Sequence, residues 1–318
     1  AEAQSAWRSA MSNWQQIEMM QMGPLVTNDG SLRDQIYAWP NKVGCGVDQD
    51  IGHYELGQFN GAPYNISTRT SDRRGLDALE YILFNDDLNH SCSNDSWAPA
   101  GWNERDEQER KLARCQFGAE LVRDLKASAT TLAAAWGDAN SGFAKELLTA
   151  GSADSQFESA HKAINAITDA LFYIDSITKD RKLGAPSGLI ANTCGSATCV
   201  QDIESSLSHN AINNIHANLV AFQAIYLGSS SDAEALGFDD YLKAVDAEEL
   251  ATTMASDIQA AIEATAGFSG TMTDAVNNDP ARVHVLYQAV KKVTDNLKSL
   301  FITQLSLELP ITSAGDAD

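Results

Sequence analysis

The residues best able to do chemistry lie in one stretch, Asp72-Arg73-Arg74-Gly75-Leu76-Asp77-Ala78-Leu79-Glu80-Tyr81-Ile82-Leu83-Phe84. Wound as a helix, it buries Leu76, Leu79 and Leu83 on one face and points Asp77 and Glu80, three positions apart, the same way. Two carboxylates on one face can hold a hard cation through oxygen, bind a cationic group, or accept hydrogen bonds from buried donors. Arg73 and Arg74 just before them offer an alternative, an arginine–carboxylate network that staples loop to helix.

Other chemistries find less support. A catalytic zinc site needs three protein ligands and an open position, usually with histidine among them. No His-Glu-x-x-His occurs, and Gly52-His53-Tyr54-Glu55 lies in a glycine-rich stretch expected to be a loop, with the wrong spacing. His209 and His216, with Asn213 between them, are expected on one helix, roughly 10 Å of rise apart, too far to grip one ion. Ser187 lacks a Gly-x-Ser-x-Gly elbow, and Ser205, Ser206 and Ser208, expected on a helix, have no identifiable base. Glu204 and Ser208, one helical turn apart, are better read as the polar floor of a cleft.

The elements that must position these groups are helices. Apolar residues recur in steps of three and four at Phe157, Ala160, Ile164, Ile167, Leu171 and Ile174, ending at Thr178. The same spacing runs through Val283, Leu286, Val290, Val293, Leu297 and Leu300, through Cys115, Val122, Leu125, Ala129, Leu132 and Trp136, and through Ile212, Ile215, Leu219, Phe222 and Tyr226. Asp279-Pro280 is a helix start, while Gly23-Pro24, Gly137 and Gly228 are stops. No stretch alternates long enough for a sheet. The expectation is an all-α fold of two tandem, four-helix-bundle-like domains, residues 1–150 with the acidic motif and residues 151–318. Residues 40–72 and 183–200 read as long structured loops.

Within that frame, Gly75-Leu76-Asp77-Ala78-Leu79-Glu80 resembles the Gly-x-His-x-x-Glu signature of the imelysin-like family, with aspartate where the motif has histidine. Trp7 and Trp14, Gly23-Pro24, Arg33 with Ile36-Tyr37 and Trp39-Pro40, Leu183-Gly184-Ala185-Pro186, the run from Ile215 to Phe222, and Leu236 to Asp240 extend the likeness over nearly the whole chain. The resemblance implies two helical bundles, export to the cell envelope, in some members as lipoproteins, a motif near a cleft between the domains, and a link to iron uptake. Imelysin itself is classed as a metallopeptidase. With Asp77 in the histidine's place, the expected function is binding: iron, an iron complex, haem or an envelope protein. Asp77 and Glu80 are the expected metal pair. Arg33, Arg73, Arg74, Gly75, Glu204, Ser208 and Asn218 complete the expected ligand-binding set. Ferric iron, calcium or magnesium suits such oxygen donors better than a soft metal. The alternatives are a metallopeptidase with an unusual ligand set and a scaffolding protein.

Bulk properties narrow the partners. With 43 acidic against 22 basic residues the net charge is −21, which repels phosphate backbones and disfavours nucleic acid. No apolar run reaches membrane-spanning length. Because residues 1–21 already read as an amphipathic helix, a leader, with or without a lipid anchor, is expected to have been removed. Five cysteines suggest two disulfides, Cys92–Cys115 and Cys194–Cys199, with Cys45 left over, and hence an oxidising compartment: the periplasm or the outer membrane's face.

Overall fold

The computed structural model describes residues 1–41, 44–232 and 234–310. The fold is all-α, apart from a two-stranded antiparallel ribbon, β1 (Gln58–Phe59) with β2 (Ala62–Pro63). The chain divides into two compact units: residues 1–9 with 23–148, and residues 10–22 with 149 onward. Helix α1 (Glu2–Ile17) therefore contributes to both. Among the described residues no helix is long and apolar enough to cross a membrane.

In the first unit α2 (Thr27–Ile36), α3 (Gly44–Leu56) and α4 (Gly75–Phe84) pack on α5 (Glu107–Trp136), which α6 (Gly142–Leu148) follows. Helix α5 starts where the Asp106 side chain accepts the Gln108 N–H, satisfying a donor that the first turn leaves open. It stops at Gly137, whose φ of +68° and tight approach to Ser141 O leave no room for a Cβ. Trp7, Leu25, Ile36, Ile51, Leu76, Trp102, Phe117 and Leu121 are buried here.

The second unit is built from α7 (Ala160–Leu171), a π-helical segment (Ile174–Gly184) that runs into the single turn α8 (Ala185–Ser187), and α9 (Ala211–Tyr226). Helices α10 (Phe238–Ala244), α11 (Glu248–Ala266), α12 (Met272–Asn278) and α13 (Pro280–Asn296) follow, with a final turn α14 (Ile302–Gln304). Asp279 and Pro280 start α13 as expected. Its Val283, Leu286, Val290 and Val293 bury against α11 and the π-helical segment, and Leu297, just beyond its end, is buried too.

Several expectations need correction. The glycine-rich stretch 40–72 is not one loop, because α3 occupies Gly44–Leu56 and carries His53. The Phe157–Thr178 stripe is not one helix: α7 ends at Leu171, and the chain then widens to i→i+5 hydrogen bonding, as in Ala185 N–H to Asp180 O. Of residues 183–200, Leu183 to Ser187 continue helically. Ser205, Ser206, Ser208 and His209 lie in turns before α9, with Ser205 and His209 at positive φ, so His209 and His216 do not share a helix. Finally, Cys45 pairs with Cys92, Cys194 pairs with Cys199, and the exposed Cys115 is the leftover thiol. The apolar step through Cys115, Val122 and Ala129 located α5 but not its buried face, since those three are exposed and Phe117, Leu121 and Asp124 turn inward instead. Only α3, unforeseen as a helix, brings Cys45 to Cys92.

Candidate functional site

Helix α4 is held from three sides. Its first residue, Gly75, has φ of +68°, and a Cβ there would lie 2.3 Å from Ile36 O at the end of α2, so only glycine allows this approach. Trp7 donates its indole N–H to Leu76 O at 2.9 Å. Asp77, 6% exposed, accepts the Ala38 backbone N–H on Oδ2 at 2.9 Å, clamping the chain just beyond α2. Glu80 is buried on the same helix. The acidic pair thus faces into the fold, and Asp77 carries at least one structural duty.

The arginines before α4 do not lie over that pair. Arg74 forms a buried two-pronged bridge to Asp124 of α5, Nε to Oδ2 at 2.8 Å and Nη2 to Oδ1 at 2.7 Å. Arg73 reaches Gln49 at 2.9 Å and Asp50 at 3.4 Å, where Arg69 makes a further two-pronged contact. Asp48 accepts from the Tyr81 hydroxyl and from Ser91, with Arg114 at 3.7 Å. Burial pushes the Asp48 carboxyl up, and it pushes the Tyr81 phenol up to about 12. Arg33, partly exposed, pairs with its neighbour Asp34 at 2.8 Å.

The second unit holds a different constellation around a buried ammonium. Lys182, on the π-helical segment, has a fully buried side chain. Its Nζ lies 3.1 Å from Glu204 Oε1, 2.9 Å from Asn218 Oδ1 and 3.7 Å from Glu18 Oε2, and it donates to Gln15 Oε1. Gln15 donates in turn to Glu204 at 3.1 Å, and Asn218 donates to Gln15 O at 2.7 Å. Glu18 also accepts the Tyr173 hydroxyl at 2.8 Å. Desolvation dominates its environment, opposed by Lys182, and moves its pKa from 4.5 to about 7. One proton can therefore enter or leave this cluster near neutrality.

The expected residues Glu204 and Asn218 thus meet on one lysine, while Ser208 donates to Ser205 O at 3.2 Å in the turn preceding α9. Lys182, Gln15, Glu18 and Tyr173 escaped the sequence reading. A trace was available for one of them: Glu18 stands alone amid Ile17, Met19 and Met20.

The family model described as Imelysin, a peptidase family, matches residues 1–300. The chain belongs to the Imelysin family. A curated relative, "Iron-regulated protein A" of Synechococcus elongatus, is 26% identical over 242 residues, covering 74% of this chain. This chain spans about half of that relative's length, 54%. Two crystal structures share the fold. One, described as an iron-regulated protein A precursor from Parabacteroides distasonis, has a TM-score of 0.69 at 18% identity, covering 96% of this chain and 83% of the other. The second, an Imelysin-like protein from Psychrobacter arcticus, has a TM-score of 0.61 at 16% identity, covering 97% and 82%.

Against the Imelysin signature, the departure at Asp77 now has a physical context. A catalytic metal needs three protein ligands and an open position. Here the residue in the histidine's place binds a backbone N–H, and among the described residues no three or more His, Cys, Asp or Glu side chains group as a metal site. The described side chains of this unit do not fit a catalytic metal centre.

Proposed function

We propose that this Imelysin-family chain is a non-catalytic binding protein of the bacterial cell envelope that takes part in iron uptake, as free ion or as complex. The name of the Synechococcus relative supports the link to iron. Two disulfides suit an oxidising compartment outside the cytosol. The −21 charge raises the local concentration of cations.

The observation that carries the non-catalytic part is the Asp77 carboxylate bound to Ala38 N–H. An ionised carboxylate accepts up to about four hydrogen bonds. Asp77 can therefore clamp Ala38 and still form, with Glu80, the acidic pair that a hard cation takes. Arg33, partly exposed in the same unit, remains a further ligand contact in this reading.

The test is a calorimetric titration of chelator-treated protein with ferric and divalent ions, alongside thermal melts. A true ligand at a hundred times its Kd stabilises the fold by about 2.7 kcal/mol. Asp77→Ala and Glu80→Ala should each remove that rise. If both variants keep it, the site is elsewhere; if they only lower the melting temperature, the pair is scaffold. The peptidase description of the family favours a second reading, and chelator-sensitive peptide hydrolysis lost in Glu80→Ala would establish it.

A further inference from the structure

We infer that the first unit carries a separate binding site for small organic cations, in a cavity between α3, α5 and the turn around Trp97. The cavity encloses about 660 Å³, within the range of ordinary small-molecule sites. Leu56, Trp97, Pro99 and Leu112 give it an apolar wall, and Glu55 and Glu109 give it acid.

The chain builds this place deliberately. Asn94 accepts the Ser96 N–H at 2.9 Å, fixing the turn Asp95–Trp97. The Cys45–Cys92 disulfide ties the start of the same loop to α3. Further along, the buried Trp102 donates to Leu88 O at 2.9 Å. Gly52 lets Pro99 lie directly on α3, since a Cβ there would come within 2.9 Å of the proline ring. A loop anchored this firmly nevertheless leaves Trp97 59% exposed, beside Leu56 and Leu112 at 70% and 58%. Adjoining exposed apolar side chains of this size mark a surface that something covers.

Charge decides what that ligand is. Arg105 meets Glu55 at 2.6 Å, so these two neutralise each other. Glu109 lines the cavity with its side chain exposed and, among the described residues, takes part in no ion pair. Burial lowers the pKa of His53, leaving the imidazole neutral at pH 7. The wall is therefore net negative on a chain of −21, which repels phosphates and carboxylates. An indole face beside an unbalanced carboxylate recognises an ammonium ion carrying an apolar body.

Tryptophan fluorescence and calorimetry on the full chain test this with benzyltrimethylammonium and its uncharged counterpart, benzyl alcohol. The cation should bind with a Kd below about 1 mM, and the alcohol at least about tenfold more weakly. Trp97→Ala should weaken cation binding about tenfold and Glu109→Gln by about threefold to tenfold. Both side chains are exposed, so unchanged melting temperatures will show that the variants fold. Asp77→Ala should leave this binding intact, which separates it from the iron-related site. Equal affinity for the two probes, affinity unchanged by both substitutions, or no binding by about 10 mM overturns the assignment.

Discussion

The two units bury charge in opposite styles. Around α4, guanidinium forks meet single carboxylates: Arg74 on Asp124, and Arg69 with Arg73 on Asp50. Around α9, one ammonium is shared among two carboxylates and two amides, and one of those carboxylates, Glu18, titrates near pH 7. A planar fork fixes direction, because two parallel bonds tolerate only one geometry. An ammonium is a point charge that several acceptors can divide, so its cage can gain or lose a proton without losing every bond. The first style suits a helix that must be held still, the second a cluster whose charge can change.

Lys182→Ala is expected to have the largest effect. It leaves two buried carboxylates without their cation and should cost about 3–5 kcal/mol, read by urea denaturation. Arg74→Ala should cost a similar amount by stranding Asp124. The conservative exchanges separate the styles: Arg74→Lys loses the second prong and should cost about 1–2 kcal/mol, and a cost near zero would mean that the fork adds nothing.

The pH dependence comes next. Glu18 has its pKa raised from 4.5 to about 7 in the folded state, so that state holds the extra proton between those values. Stability should therefore fall as pH rises from about 4.5 to about 7 and level off above, by up to about 3 kcal/mol. Glu18→Gln, which cannot ionise, should flatten that slope in denaturant midpoints measured across the window. A slope unchanged in the variant assigns the proton to another group.

The smallest effect should come from Cys115→Ser, within about 0.5 kcal/mol because the side chain is exposed. Thiol labelling of the unfolded, unreduced protein should fall from one cysteine to none. Two labelled cysteines in the variant would instead restore the pairing of Cys92 with Cys115.

Helical architecture was legible because it is local. A buried helix face writes itself as a three-four spacing, as in Val283 to Leu297, and its ends as Asp279-Pro280 or Gly137. The helical placement of Gly75-Leu76-Asp77-Ala78-Leu79-Glu80 was equally visible, from the three-position step between Leu76 and Leu79. The helix α3 was missed because its glycines weaken every local signal; packing on α5 and the bond from Cys45 to Cys92 compensate for poor propensity.

What the sequence determined by itself was the class of fold, the family and the segments that carry charge. Which charges meet was decided only by tertiary structure. Lys182 lies more than a hundred and sixty positions from Gln15, and Arg74 lies fifty from Asp124. No periodicity along the chain encodes such distances. Lys182 is buried on the π-helical segment, and burial makes every partner's position matter, because an ion removed from water must find its counter-charges in the fold.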